Sequence, residues 1–418
     1  MTNIRLKYGS ELIDLSLPDE QIIGIYPPKE KKAVENLNQA IRNSLTCPID
    51  SRRLSQMVQP HHKVVVVVDD ATRSVPSTEL LVGIVEELAR ARVPDKNICV
   101  LVATGLHRKM KHKELETVLG PLKGRIKIVN HDPEKNLKYL GQTFLGTNIY
   151  LNRTFLDADI KILTGDVEFH QFCGYGGGAK SVHPGIADSE SIRLVHSRME
   201  IEGAGPAKIE GNPVRQEIDE VGRMAGVDFI VNVVLSPAKE VVKVFSGNVI
   251  SAFLAATKIC DEIYYVDVPA RADVVIASAG GFPRDIELYQ AQKAVASAMR
   301  IVKKAGKIIL LAECREGHGS DLAYSWARQA KNADDIIQRL KTKFVMGGHK
   351  AYQLARAIKW ADVYLLSSLK PEMVRQFFMY PLSCVDQIYD LLPENDSIAV
   401  LPEATLTLAK LKQQNETS

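Results

Sequence analysis

Five consecutive valines, Val64 to Val68, run into Asp69-Asp70 and are followed by a helical pattern over 77–92 and a second apolar run, Ile98–Ala103. A β-branched run of this kind, feeding an amphipathic helix and then another such run, is the signature of a parallel sheet with helices packed on it. In the helical stretch Leu80, Leu81, Ile84, Val85 and Leu88 share one stripe, leaving Glu86, Glu87, Arg90 and Arg92 for water. Further strands are expected at 126–129, 160–164 and 229–235. The pattern restarts after Val268-Pro-Ala-Arg271, with strands expected at 274–277, 308–312 and 363–366 and helices around 286–304 and 333–341. The prediction is an α/β fold of two domains with mainly parallel sheets, residues 1–268 and 269–394. The tail, 395–418, is expected to pack back on the first domain through a last strand and helix, with 413–418 frayed.

Composition removes several classes of function. The 418 residues carry 53 Lys plus Arg against 50 Asp plus Glu, a formal charge of +3, too small for a general polyanion binder, so no nucleic-acid partner is expected. No stretch approaches the roughly 20 apolar residues of a membrane span, and the first residues lack the apolar core of a secretory signal. The six cysteines are scattered without a CxxC, as reduced cytosolic thiols rather than staples or a zinc set, so a cytoplasmic protein with no membrane partner is expected.

Ligands of α/β sheets bind where loops leave the carboxyl ends of strands. Three segments fit: Asp69-Asp70-Ala71-Thr72-Arg73, Thr104-Gly105-Leu106-His107-Arg108, and Thr164-Gly165-Asp166-Val167-Glu168-Phe169-His170. If their strands are neighbours, the three loops converge. The alternative is that Asp70 and Thr72 cap the helix starting near Ser77 and that His107 and His170 are ordinary loop residues.

Next comes Gly174-Tyr175-Gly176-Gly177-Gly178-Ala179-Lys180-Ser181. Its glycines allow backbone N–H groups to turn toward an anion, and its lysine adds a charge or a nucleophile. The stretch nearly spells a P-loop, but Ala179 stands where that motif needs glycine, and 168–173 does not read as a buried strand. His170, Cys173 and His183 are loosely metal-like in spacing without a fourth ligand, and His196 lies on an expected helix. In the second domain Asp285 reads as a helix N-cap, and Tyr289 and Lys293 share a helical face with Gln290 beside them, a set suited to a small carboxylate or to a plain solvated face. Gly317-His318-Gly319 and Gly347-Gly348-His349-Lys350 are weaker loop candidates.

Taken in order and spacing, Asp69 to Arg73, Thr104 to Arg108, His170 ahead of Gly176 to Lys180, His196, and Tyr289-Gln290-Ala291-Gln292-Lys293 resemble the nickel-dependent lactate racemase family over essentially the whole chain. The resemblance implies two α/β domains joined by a hinge, with the active site in the interdomain cleft. It also implies a nickel ion held by a carbon and two sulfurs of a pyridinium-3,5-bisthiocarboxylic acid mononucleotide, the nickel-pincer nucleotide, joined covalently to Lys180. His196 would be the remaining nickel ligand. Asp70, Ala71, Thr72, Arg73, Gly177 and Gly178 would contact the cofactor, and cofactor-biosynthesis enzymes would load it. His107 and His170 match the family's pair of acid/bases, and Gln290, Lys293, Tyr289 and Arg73 would bind the substrate.

The implied reaction is interconversion of the D and L forms of a 2-hydroxy acid. The α C–H is a poor proton source because the adjacent carboxylate destabilises a carbanion. Its removal as hydride, while a base takes the hydroxyl proton, is easier and needs no net redox. Two enantiomers present their hydroxyls differently, so two bases are useful. Lactate is the first expectation. Malate, longer or aromatic acids and sugar acids are alternatives, and a P-loop-like nucleotide-binding protein or NTPase is the alternative of a different class. Gln171, Phe172 and Tyr175 are expected in the pocket region with Trp360 closing its far side, and an apolar wall there would favour a short aliphatic acid such as lactate. Arg73, Arg284 and Lys350 are candidate second cations for a diacid.

Overall fold

The computed structural model describes residues 1–412, and 413–418, read as frayed, lie outside the described residues. The chain divides into two compact units, one of residues 30–263 and one of 1–29 with 264–418.

In the unit of 30–263 a six-stranded sheet runs in the order Val241–Gly247, Phe229–Leu235, Ile160–Asp166, Val64–Asp69, Ile98–Ala103, Lys127–Asn130, parallel except for the first, which is antiparallel to its neighbour. The valine run sits at the centre of this sheet. Val64, Val66 and Val68 face a core shared with Leu80, Leu81, Ile84 and Leu88, and Val65 and Val67 are buried as well. A strand covered on both faces has no reason to alternate with polar residues. Helix Ser77–Arg90 ends two residues before the expected limit. One residue assigned to its wet face is not there: Glu87 is buried and takes Arg53 in a two-pronged pair (3.0 and 2.9 Å) with Ser55 Oγ at 2.6 Å. Such a partner, distant in sequence, makes burial of a carboxylate tolerable.

In the other unit an all-parallel sheet runs in the order Tyr380–Leu382, Asp362–Leu366, Val302–Leu311, Ala272–Ser278, Ile398–Leu401, Ile22–Ile25. The expected domain limits are corrected here. The tail gives two strands rather than a strand and a helix. Ile398–Leu401 pairs with Ala272–Ser278, and Leu408–Leu411 pairs with Tyr265–Val268, so the tail belongs to this unit and not to the first domain. Residues 1–29 belong to it too. The hairpin Thr2–Tyr8 with Glu11–Leu17 lays Ile4, Leu6, Leu15 and Leu17 on Val274, Ile276, Ile309 and Val400. The expected helix 286–304 is shorter, Leu288–Ala298, because the strand from Val302 begins early. Asp285 is not its N-cap. That place is taken by Glu287, while buried Asp285 accepts the amides of Gly9 (2.6 Å) and Glu313 (3.1 Å). Among the described residues no helix is long and apolar enough to cross a membrane.

A buried ion pair in the unit of 30–263 gives a stability test. Glu217, with no exposed side-chain surface, accepts Arg198 Nη1 (2.6 Å) and the hydroxyls of Thr143 and Thr147 (2.7 and 2.6 Å). Burial opposes its ionisation, but these donors outweigh burial and hold its pKa below the ordinary value. A depressed folded-state pKa contributes stability that is present above the unfolded value, about 4.3, and lost as pH falls through the folded one. Glu217→Gln is expected to cost about 3–5 kcal/mol at neutral pH, since Arg198 loses its counter-charge. Urea titrations should show the gap between parent and variant narrowing below about pH 4.3.

Candidate active site

The strands that carry the three chemistry-bearing loops, Ile160–Asp166, Val64–Asp69 and Ile98–Ala103, are adjacent in the sheet, so the loops leave side by side at their carboxyl ends. The second and third meet directly: Asp70 Oδ2 lies 2.7 Å from His107 Nδ1. The other oxygen of Asp70 accepts the Thr72 amide (2.9 Å) and hydroxyl (2.5 Å). Burial works against ionisation of Asp70, but the bonds from His107 and Thr72 prevail and keep its carboxyl below the usual range. An ionised carboxylate can only accept, so Nδ1 of His107 is the donor, and in the neutral ring the lone pair is then on Nε2. The helix-capping alternative for Asp70 and Thr72 does not hold, because the helix from Ser77 is preceded by Pro76 with no side-chain cap. Ala71 and Thr72 are exposed at the loop tip, and Arg73 donates to Glu168 Oε1 at 2.5 Å.

Lys180 sits in a short 3-10 turn, Gly178–Ser181. Burial first, and then the nearby Arg73 charge, lower the pKa of its ammonium, which favours the neutral, nucleophilic amine. Its side chain has no hydrogen-bond or ion-pair partner among the described residues. Gly177 and Gly178 adopt φ of +75° and +57°, and a Cβ at Gly178 would fall 2.8 Å from Arg215 Nη2. The fold itself therefore requires glycine there. The amides of Gly176, Gly178 and Lys180 donate to Glu168 O, Asn232 Oδ1 and Gly177 O. A P-loop needs such N–H groups free for phosphate, so the NTPase alternative finds no support here.

His196 lies on helix Ser189–Ser197, whose N-cap Asp188 accepts the amides of Glu190 and Ser191. Its Nδ1 is 2.7 Å from the Ile192 carbonyl. A carbonyl cannot donate, so Nδ1 holds the proton and Nε2 is left with a lone pair, the form in which imidazole binds metals. Burial, with smaller effects from Lys180 and His107, lowers its pKa to about 4 and keeps it neutral. Phe172 stands edge-on between the rings of His170 (4.6 Å) and His196 (5.4 Å). The Cys173 amide points at His170 Nδ1 from 3.5 Å. Tyr175 turns away from these rings, with its hydroxyl donating to Asp261 at 2.5 Å.

Sequence reasoning placed two further carboxylates in these loops but gave neither a role. Asp69 and Asp166 end adjacent strands of the three, and desolvation raises the pKa of both, with repulsion from Asp70 and Glu168 adding to it at Asp69 and from Glu168 and Asp69 at Asp166. The signal was an ionisable residue as the last position of each strand. His183 is also fully buried, with neither ring nitrogen hydrogen-bonded and its pKa lowered to about 4 by burial.

The remaining expected residues belong to the unit of 1–29 and 264–418. Tyr289, Gln290 and Lys293 lie on helix Leu288–Ala298, with Tyr289 and Gln290 half-buried and Lys293 exposed. Trp360 donates its indole N–H to the Val302 carbonyl at 3.2 Å. It ends helix Gly348–Trp360, about 15 Å along the axis from Lys350.

A parallel α/β scaffold presenting a carboxylate–imidazole pair, a depressed lysine and a neutral imidazole past the strand ends defines an α/β enzyme of acid–base and nucleophilic capability. Residues 8–205 match the lactate racemase N-terminal domain family and residues 268–406 the lactate racemase C-terminal domain family. The chain belongs to the lactate racemase family. It is 30% identical over 428 residues to the lactate racemase of Thermoanaerobacterium thermosaccharolyticum, covering 99% of this chain and 100% of that one. To the lactate racemase of Lactiplantibacillus plantarum it is 30% identical over 400 residues, 93% of this chain and 94% of that one. The structure of the T. thermosaccharolyticum lactate racemase apoprotein matches with a TM-score of 0.90 at 28% identity, over 98% of this chain and all of that one. A Thermotoga maritima protein shares the fold, with a TM-score of 0.65 at 20% identity.

Proposed function

We propose that this protein racemises lactate by reversible hydride transfer, using a nickel-pincer nucleotide tethered to Lys180. The observation that carries the reading is the pairing of two prepared groups in one neighbourhood. The Lys180 amine is held toward its nucleophilic form, and His196 has an Nε2 lone pair that its Ile192 bond makes obligatory. Relatives named lactate racemase, similar over nearly their whole length, support the substrate.

The donor set fits such a group. Among the described residues no cluster of three or more His, Cys, Asp or Glu is arranged to hold a metal. A nickel ion held through His196 would therefore draw its other donors from the cofactor's own carbon and sulfurs, and mixed soft and imidazole donors suit a square-planar nickel. Lys180 would hold the cofactor covalently, while Asp70, Ala71, Thr72, Arg73, Gly177 and Gly178 line its nucleotide. When bound, the cofactor supplies a hydride acceptor.

The chain's own residues supply the rest. His107 Nε2 takes the hydroxyl proton of one enantiomer, and Asp70 holds the ring in the tautomer that can do so. His170 serves the other enantiomer. Lys293 and Gln290 bind the carboxylate and hydroxyl, with Tyr289 beside them and Arg73 assisting. Loading requires the cofactor-building enzymes as partners. A cytoplasmic setting accords with six cysteines that are all free thiols.

The test is intact mass, nickel content and chiral analysis of protein made together with the loading enzymes. An added mass on Lys180, bound nickel and equilibration of D- and L-lactate are expected. Unmodified Lys180 and no racemisation, with a loaded relative as positive control, would refute the reading. In the same preparation His196→Ala should keep the adduct on Lys180 yet lose most of its nickel on gel filtration. Equal nickel in variant and parent would remove the ligand role.

A further inference from the structure

One polar side chain interrupts an otherwise apolar strand. Phe229–Leu235 reads Phe-Ile-Val-Asn-Val-Val-Leu, every residue of it is buried, and Asn232 is fully so. A buried amide costs stability unless its donor and its acceptor are both taken up. Those of Asn232 are, and both partners lie outside its own strand. Its Oδ1 accepts the Gly178 amide at 2.9 Å, and its Nδ2 donates to the Gly165 carbonyl at 3.2 Å. A backbone N–H can only donate and a carbonyl can only accept, so these partners fix which way the side-chain amide faces.

The two bonds tie the turn that carries Lys180 to a neighbouring strand end. Asn232 is the cross-strand partner of Gly165 in the parallel pair with Ile160–Asp166, so sheet register holds one end of its amide. The other end reaches the turn through a slot that glycine keeps open. A Cβ on Gly177 would lie 3.1 Å from Asn232 Oδ1 and 2.9 Å from the Asp166 carbonyl oxygen. The far end of the turn is tied to the same strand, because Ser181 Oγ donates to the Thr164 carbonyl at 3.1 Å. Gly178, through Asn232, and Ser181, directly, are thus pinned to two consecutive residues, and Lys180 stands between the pins.

We propose that Asn232 is a positioning residue for Lys180: with Ser181 as the second pin, it fixes the turn from which the lysine amine meets the incoming cofactor. This rests on the reading of Lys180 as the attachment point. A lysine amine sits at the end of a flexible four-carbon stem, so a tilt of its turn is magnified at the nitrogen, and bond formation depends on placement to about an ångström. The trace in the sequence is a single polar residue inside an apolar run.

Asn232→Leu and Asn232→Val both remove the two bonds, the first keeping the branched shape and the second suiting a strand, so whichever folds serves. Asn232→Asp keeps an acceptor for the Gly178 amide. All are compared with the parent at a temperature where circular dichroism shows them folded. In the unloaded full chain, amide exchange at Gly178, read from overlapping peptides, should quicken at least about tenfold in the apolar variant, the loss of one hydrogen bond, while that of 64–68 stays parental. In protein made beside the loading enzymes, the mass adduct on Lys180 should form at least about tenfold more slowly in the apolar variant, and Asn232→Asp should recover most of that loss. A merely structural asparagine would lower the melting temperature yet leave the folded protein loading at the parental rate. Parental adduct formation in a folded apolar variant, or an equal loss in Asn232→Asp, would overturn the proposal while leaving the racemase reading intact. A parent that takes up no adduct refutes that reading, and the proposal falls with it.

Discussion

Lys180→Ala, produced beside the loading enzymes, should carry no added mass, retain no nickel and lose racemisation by more than about 10⁴-fold, because the main source of a rate enhancement that is typically about 10⁶-fold or larger is gone. The position combines two properties that rarely coincide on a lysine. It is fixed by a turn that begins at Gly177 with φ +75°, and its ammonium is disfavoured by burial and by the charge of Arg73. The first aims the side chain, and the second frees its lone pair. Lys180→Arg separates them. An arginine keeps the positive charge but stays protonated, so it cannot form the amide-type bond. Intact mass on both variants is the measurement. If Lys180→Arg were loaded and active, charge rather than covalent attachment would be the function of this residue.

His107→Ala is expected to lower turnover by about 10² to 10⁴-fold, the usual contribution of a positioned general base. The losses for D- and L-lactate should be unequal, because His170 remains. Asp70→Asn should fall within the same range although it leaves the imidazole in place. An asparagine can present its N–H to Nδ1, and the lone pair then moves to the wrong nitrogen. Asp70 accepts both His107 and Thr72, so the amide cannot reproduce all three bonds. Initial rates in both directions, with nickel and Lys180 occupancy measured alongside, check this. Parental rates in Asp70→Asn with full occupancy would show that the carboxylate does not control the base.

Much of this site was legible because parallel sheets put ligand-binding loops at one edge. Once the runs at 64–68, 98–103 and 160–164 were recognised, the residues just past each were the natural candidates. What they do to one another was not legible. Asp70 is separated from His107 by 37 residues, and Glu168 from Arg73 by 95, so no local pattern announces either pair. Glu87 shows the same limit in the core. Helical periodicity put it near the wet edge of its stripe, and Arg53 from a separate segment made its burial affordable. Lys350 was legible as a loop candidate after a glycine pair and as a possible second cation for a diacid, but not as a buried residue. Its burial beneath Tyr289 follows from the packing of two helices far apart in the chain.

By itself the sequence determined the secondary structure class, the parallel character of the sheets and the family, since each follows from residue type, short-range period and ordered motifs. The tertiary structure decided which sheet each strand joins. A period-2 or fully apolar run specifies that its faces are buried, not by whom, so the hairpin of residues 2–17 and the strand Ile398–Leu401 carried no mark of their shared unit. It also decided the protonation of the site. The donor at His107 Nδ1, the lone pair at His196 Nε2 and the depressed ammonium of Lys180 arise from burial and from partners that folding alone brings within a few ångströms.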